Sequence, residues 1–334
     1  MNFLIVRLGA LGDIVHTVPA AAALRRARPD ARIDWVVDAR HASFVRLVDG
    51  IDRVVPLERP TVAAWLQLVQ LLRPARYDVA LDFQGLMKSA IIARASGARR
   101  VVGFSIWHLR EKGARPFYSD VDDGAHVAHV VQKNLKLLSL VGVETTAIEF
   151  PLRHSPSPVL AQVKHESAGR RIALINPGAA WPNKRWPASR FGEVAAFLKE
   201  VRGLAPFVLW GPGEQPLAQE VVDASAGAAR VAPATTTADL LELSRDALLM
   251  VSGDTGPLHI AAAAGTPIVA IFGPTDPDRN GPWSADDVVV SRYGACDCHY
   301  QRQCRRASWC LSDVTVAEVT AAIQHRLGPS HTPC

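Results

Sequence analysis

Short apolar runs of strand length alternate with stretches of helical period along most of this chain. In the first half the runs fall at Phe3–Leu8, Ile33–Val37, Arg53–Pro56, Val79–Asp82 and Arg100–Phe104. Between them, helices are expected through Ala20–Arg28, near Ala42–Val48, across Ala63–Leu72 and from Leu86, and a helix over Val130–Val141 closes this half. Continuous apolar strands separated by helices predict a parallel sheet covered on both faces. The segment His154-Ser155-Pro156-Ser157-Pro158 has no periodicity and two prolines, so it reads as a linker.

The pattern then restarts. Strands are expected at Arg171–Asn176, Phe207–Trp210, Ala247–Ser252 and Ile268–Phe272, with helices over Ser189–Val201, Thr237–Ser244, Leu258–Ala264 and finally Val316–Leu327. The fold class is therefore α/β, with two doubly wound parallel-sheet domains. Predicted boundaries are 1–153 for the first domain, 154–169 for the linker, 170–315 for the second domain, and 316–334 for a C-terminal helix and tail that can return to the first.

Each half carries a Gly-Asp loop after a strand: Gly9-Ala10-Leu11-Gly12-Asp13 and Gly253-Asp254-Thr255-Gly256-Pro257. Small residues at a strand end let the backbone approach a ligand, and the following helix N-terminus offers free N–H groups to an anion. At 334 residues and 49% hydrophobic, the chain has enough material for two cores. The longest apolar stretch, His259–Phe272, is interrupted by Gly265, Thr266 and Pro267, which argues against a membrane span. The N-terminus reads as a first strand rather than a signal peptide. All five cysteines fall in the last forty residues, so a reducing, cytoplasmic setting is expected.

The net charge of +5 is uneven, with +6 in residues 1–155 and −1 in the remainder. Between Leu86 and Arg115, Lys88, Arg94, Arg99, Arg100, Arg110, Lys112 and Arg115 face Glu111 alone. Such a stretch suits an anionic partner, although a solvated arginine-rich surface has the same composition.

Asp13 stands where a strand hands over to a helix. It can cap that helix, or act as a general base at the ligand-binding edge of the sheet. His16, one turn on, reads as a positioning or packing residue. Asp38, ending the second predicted strand, is where a dinucleotide fold places a ribose-binding acid. However, the first loop supplies only Gly9 and Gly12 of a G-x-G-x-x-G fingerprint, which leaves an NAD-dependent oxidoreductase as the more distant alternative. In the second half, Lys184 follows the Asn176-Pro177-Gly178 loop and can serve a phosphate as a point charge, with Arg185 free to make a structural pair. Glu214, after Gly211-Pro212-Gly213, is suited to ribose hydroxyls or is simply an exposed loop acid. Asp254 or Thr255 can cap the helix that has Pro257 in its first turn, and His259 lies within that turn.

Several of these stretches together resemble the ADP-heptose glycosyltransferases of lipopolysaccharide core synthesis, glycosyltransferase family 9. They are Gly12-Asp13-Ile14-Val15-His16-Thr17-Val18-Pro19, Asp82-Phe83-Gln84-Gly85-Leu86-Met87-Lys88-Ser89, Lys184-Arg185-Trp186-Pro187, Asp254-Thr255-Gly256-Pro257-Leu258-His259 and Phe272-Gly273-Pro274-Thr275-Asp276-Pro277. Leu109-Arg110-Glu111-Lys112 and Asp34-Trp35-Val36-Val37-Asp38 look most like heptosyltransferase I.

The resemblance implies a GT-B architecture: two facing Rossmann-like domains with an interdomain cleft, the first binding acceptor and the second the nucleotide sugar. It implies inverting transfer of heptose from ADP-heptose to a Kdo residue of Kdo-lipid A. Asp13 would be the base and Lys184 the counter-charge to the leaving diphosphate. Glu214, Asp254, Thr255, Gly256, Leu258 and His259 would hold the donor, and Gly12, Lys88 and Arg110 the acceptor. It also implies transient contact with the cytoplasmic face of the inner membrane, no nucleic-acid partner, and no cofactor for catalysis. Heptosyltransferase II and protein-modifying heptosyltransferases are the nearer alternatives. Cys296, Cys298, Cys304 and Cys310 depart from the heptosyltransferase I pattern and are candidates for a structural zinc or iron site.

Overall fold

Phe3, Leu4, Ile5 and Val6 are completely out of water, as a strand covered on both faces requires. They form the centre of the first of two parallel sheets. The computed structural model describes residues 1–58, 61–122 and 127–328, and the chain divides into two units, Met1–Arg153 and His154–Cys334.

The first unit runs β1 (Asn2–Val6), α1 (Leu11–Val15), α2 (Val18–Ala27), β2 (Arg32–Asp38), α3 (Ala42–Val45), β3 (Arg53–Leu57), α4 (Val62–Leu72), β4 (Val79–Asp82), α5 (Met87–Ala95), β5 (Arg100–Phe104), β6 (Asp120–Asp122) and α6 (Val130–Leu137). Its sheet order is β3-β2-β1-β4-β5-β6, all parallel, with Ile5 opposite Trp35 on one side and Leu81 on the other. The strand order reverses between β1 and β4, and the crevice at such a reversal is where open α/β sheets bind ligands.

The second unit comprises α7 (Pro158–Glu166), β7 (Ile172–Asn176), α8 (Ala188–Glu200), β8 (Ala205–Val208), α9 (Gln215–Ala224), β9 (Arg230–Val231), α10 (Thr237–Asp246), β10 (Leu249–Gly253), α11 (Gly256–Ala264), β11 (Ile268–Phe272), α12 (Pro277–Asn280), β12 (Val288–Ser291) and α13 (Val316–Leu327). The order β12-β11-β10-β7-β8-β9 places its reversal between β7 and β10.

Three expectations change. The predicted linker 154–169 contains a helix, α7: Ser157 caps it by accepting from the Leu160 amide at 3.0 Å, and Pro158 occupies its first turn, where a missing N–H costs nothing. The final helix lies within the second unit, packing on α8, β11 and β12 with Val319 and Ile323 fully buried. The predicted tail beyond Gly328 lies outside the described residues. Finally, Asp13 is not a cap: Ala10 holds the N-cap position of α1, and Asp13 is its third residue, within the first turn.

Candidate active site

At the first sheet's reversal, two loops are tied to each other by side chains. Arg7, the residue after β1, is 7% exposed; its Nη1 donates to the Phe83 carbonyl at 2.5 Å, and its Nη2 pairs with Asp13 Oδ2 at 2.6 Å. The Leu8 amide donates to Gln84 Oε1 at 2.7 Å. Asp13 therefore has a fixed direction while staying partly open to solvent, at 28% side-chain exposure. Gly12 is buried beside it in α1. His16 is buried at the end of α1, in edge contact with His129, which suits packing.

The second of these loops is organised by Asp82, a carboxylate with no exposure. It accepts from the Tyr118 hydroxyl at 2.7 Å, the Ser89 hydroxyl at 2.8 Å and the amides of Gln84 and Gly85 at 2.8 and 3.2 Å. Burial pushes its carboxyl pKa up, and these four donors pull against that rise. Gly85 turns the chain at φ +72°, with Leu109 3.0 Å from the place a Cβ would take, so a side chain here is both strained and crowded. The turn delivers α5, whose second residue is Lys88. Lys88 and the exposed Arg110, on the loop after β5, have no hydrogen bond or ion pair among the described residues, leaving two cations for an anionic ligand. Glu111 is engaged at the start of α5, accepting from the Met87 amide at 2.7 Å.

At the second sheet's reversal the same logic recurs with opposite charge order. Asn176 ends β7 and donates to Ser252 Oγ and Thr255 Oγ1 at 3.0 and 2.9 Å, joining β7 to the loop after β10. Thr255 is thereby the N-cap of α11 by position only, without a side-chain cap, so the first N–H groups of that nine-residue helix are left for another acceptor.

Asp254 lies just before it. Oδ2 receives Lys184 Nζ at 2.5 Å and Thr275 Oγ1 at 2.7 Å, and Oδ1 faces His259 Nε2 at 3.3 Å. Burial works to raise this carboxyl. The His259 hydrogen bond, the Lys184 charge and the Lys184 hydrogen bond outweigh it and hold Asp254 well below the usual carboxylate range. Lys184 also stands 4.5 Å above the Trp181 ring, a cation–π contact that fixes it from the other side.

Glu214 is partly buried rather than an exposed loop acid. Its carboxylate accepts from the Gly211 amide at 3.1 Å and lies over Gly178, where a Cβ would stand 2.2 Å from Oε2. Arg185 makes the structural pair, donating to the Ala179 carbonyl at 2.8 Å and standing 3.7 Å from Glu214. Leu258 is wholly within the core, so only its main chain can meet a ligand.

Thus Lys184, Asp254, Thr255 and His259 come together, with Glu214 linked to them through the Gly178 loop. Arg7, Asp82, Gln84, Asn176 and Thr275 are site-forming residues to which the sequence assigns no role, although Asp82, Gln84 and Thr275 lie in the stretches that carry the family resemblance. Arg7 and Asn176 carry one signal: each is a polar residue ending an otherwise apolar strand run.

Residues 65–310 match glycosyltransferase family 9 (heptosyltransferase). The chain belongs to this family. Lipopolysaccharide heptosyltransferase 1 of Pseudomonas aeruginosa is 28% identical over 309 residues, covering 89% of this chain and 85% of that protein. Lipopolysaccharide heptosyltransferase 3 of Escherichia coli is 26% identical over 336 residues, covering 96% and 97%. Among solved structures, E. coli heptosyltransferase WaaC with ADP superposes with a TM-score of 0.76 at 23% identity, covering 98% of this chain and all of that one, a likeness of fold.

This family 9 member is a glycosyltransferase, and the oxidoreductase alternative is set aside. Asp38, its candidate ribose acid, instead caps the turn at 39–41 and pairs with Arg40 at 2.9 Å. The zinc or iron expectation also finds no support: among the described residues no group of three or more His, Cys, Asp or Glu is placed to hold a metal ion. Cys296, Cys298 and Cys310 form a small buried cluster with Cys304 packed against it, and burial pushes the Cys298 thiol up to about 12. Among the described residues no helix is long and apolar enough to cross a membrane.

Proposed function

We propose that this glycosyltransferase moves L-glycero-D-manno-heptose from ADP-heptose to a Kdo residue of Kdo-lipid A, at the cytoplasmic membrane face, as a heptosyltransferase I does. The observation that carries this reading is the contrast between the two sheet reversals. One presents an oriented, solvent-open carboxylate, Asp13, and the other a lysine beside an uncapped helix N-terminus. A base and a set of anion-binding groups are the two requirements of a single displacement at a sugar carbon whose leaving group is a diphosphate.

Asp13 takes the proton of the acceptor hydroxyl as that oxygen attacks the anomeric carbon from the face opposite ADP, which inverts the centre. Lys184 and the first N–H groups of α11 stabilise the charge that grows on the departing diphosphate. Glu214 receives ribose hydroxyls, and Lys88 and Arg110 meet the acidic acceptor. The name of the P. aeruginosa relative supports the acceptor, and the E. coli heptosyltransferase solved with ADP supports the donor.

The deciding assay supplies ADP-heptose with either Kdo-lipid A or Kdo-lipid A already bearing one heptose, and follows ADP release and product mass. Transfer to the first acceptor alone is expected. Transfer only to the heptosylated acceptor would replace the heptosyltransferase I reading with that of a later core enzyme, which the similarity to heptosyltransferase 3 makes the natural second reading.

A separate check concerns Glu214. In Gly178→Ala the new methyl displaces the Glu214 carboxylate, a flexible chain end, so stability should change by less than about 1 kcal/mol. ADP affinity should fall about tenfold, as in Glu214→Ala, because a hydrogen bond to a charged group is lost. Unchanged ADP titrations in both variants would remove Glu214 from the ribose site.

A further inference from the structure

Helix α4, Val62–Leu72, has the sequence VAAWLQLVQLL and contains no charged residue. A helix that lies on a sheet in water normally turns a charged face outward. Here Leu68 and Leu72, one turn apart, are buried against the first unit, yet the other side is also apolar: Leu66 is 59% exposed and Leu71 43%. Gln67 and Gln70 are the polar residues of the exposed side.

The C-terminal end of the helix is strongly basic. Arg73 follows directly; its Nε donates to the Ala95 carbonyl at 3.3 Å and its Cγ lies against Gly97, which brings the end of α5 and the exposed Arg94 alongside. Exposed Arg76 comes next in the chain. Asp78 is already engaged with the Asn2 amide at 2.8 Å and with Arg99 at 3.6 Å.

We propose that the outer side of α4, with Arg73, Arg76 and Arg94 at its end, is the surface on which this chain docks to an anionic lipid bilayer. At 11 residues the helix is about 16 Å long, too short to span the hydrocarbon core, so it lies in the headgroup region with its leucines inserted and its arginines on lipid phosphates. An uncharged face bordered by arginines that pair with no carboxylate among the described residues fits that environment better than a second copy of the chain, whose matching face would bring the same positive charge against it. The other end of α5 carries Lys88, six residues and about 9 Å from Arg94 along the helix, so the docked surface adjoins the proposed acceptor residues. The inference rests on the membrane contact that a lipid-borne acceptor requires and supplies the surface for it, and its deciding readout, vesicle binding, is separate from sugar transfer.

The full chain is sedimented with vesicles of phosphatidylglycerol and phosphatidylethanolamine, or of phosphatidylcholine alone, at low and high salt. Binding is expected on the anionic vesicles only and should be reversed by salt. Leu66→Gln with Leu71→Gln should weaken it about tenfold, and Arg76→Gln with Arg94→Gln about fivefold per charge removed, with Tm and transfer to a deacylated, water-soluble Kdo acceptor unchanged. No binding to anionic vesicles overturns the proposal. So does equal binding by wild type and both variants, or loss of a concentration-dependent dimer in place of vesicle binding. If the leucine variant does not fold, the arginine variant decides. A wild type that binds vesicles but transfers to no Kdo acceptor removes the functional reading and leaves the docking surface standing.

Discussion

Asp13→Asn is expected to lower heptose transfer about 10²–10⁴-fold, the range that a positioned general base contributes, while ADP binding stays at the wild-type level. Asparagine preserves shape and can still accept a hydrogen bond from Arg7, so the loops held through Arg7 and Gln84 should keep their arrangement. Asp13→Ala should lose as much activity and also stability, by about 2 kcal/mol, because the buried guanidinium of Arg7 is left with only the Phe83 carbonyl. Comparing the two variants separates proton removal from loop support. Transfer by Asp13→Asn at a wild-type rate would eliminate Asp13 as the base. Loss of ADP affinity in the same variant would instead show that the fold, rather than the chemistry, had been damaged.

The parts of the molecule that are legible from sequence are those whose signal is local. β1 and β10 are apolar runs ended by Gly-Asp loops, and in a sheet buried on both faces nothing else in the chain is needed to recognise them. β9 escapes because two residues carry no period, and β6 because Asp120-Val121-Asp122 offers a single apolar residue. α7 is hidden by its two neighbouring prolines, which read as breakers, although Pro158 behind a serine cap is a helix start.

Site residues divide the same way. Asp13, Lys184 and Asp254 stand out as charges beside strand ends. Their partners do not, since Lys184 and Asp254 are 70 positions apart, and Asp82 meets Tyr118 across 36. Sequence spacing also suggests that a C-x-C and two further cysteines could gather round a metal. The backbone path does bring thiols together, with the Cys296 and Cys298 sulfurs 3.4 Å apart and Cys310 and Cys304 packed with them, but among the described residues no group of three or more ligands is placed to hold an ion.

Lys184→Met should produce the largest combined loss, in both stability and rate. In the folded protein Asp254, its side chain only 9% exposed, is a carboxylate held ionised by Lys184 and His259, with Thr275 as a further donor. Removing the lysine leaves that charge without its main counter-ion, which typically costs about 3–5 kcal/mol for a buried pair. Asp254→Asn in the same chain removes the stranded charge, so the double variant should recover most of the stability but none of the transfer.

The pH dependence has a definite sign. Because the folded-state pKa of Asp254 is depressed, its stabilising contribution is fully present above the unfolded value of about 3.9 and is lost as pH falls through the folded one. Lys184→Met should therefore flatten the acid side of the stability curve as well as lower the plateau near neutrality. On the kinetic side, losing a preorganised cation at a departing diphosphate should lower kcat about 10²–10³-fold. The ammonium has three donors and uses one on Asp254, so it can meet a phosphate without releasing the carboxylate. Wild-type kcat in Lys184→Met would exclude the lysine from leaving-group stabilisation, and an unchanged denaturant midpoint would show that the ion pair does not hold the second unit together.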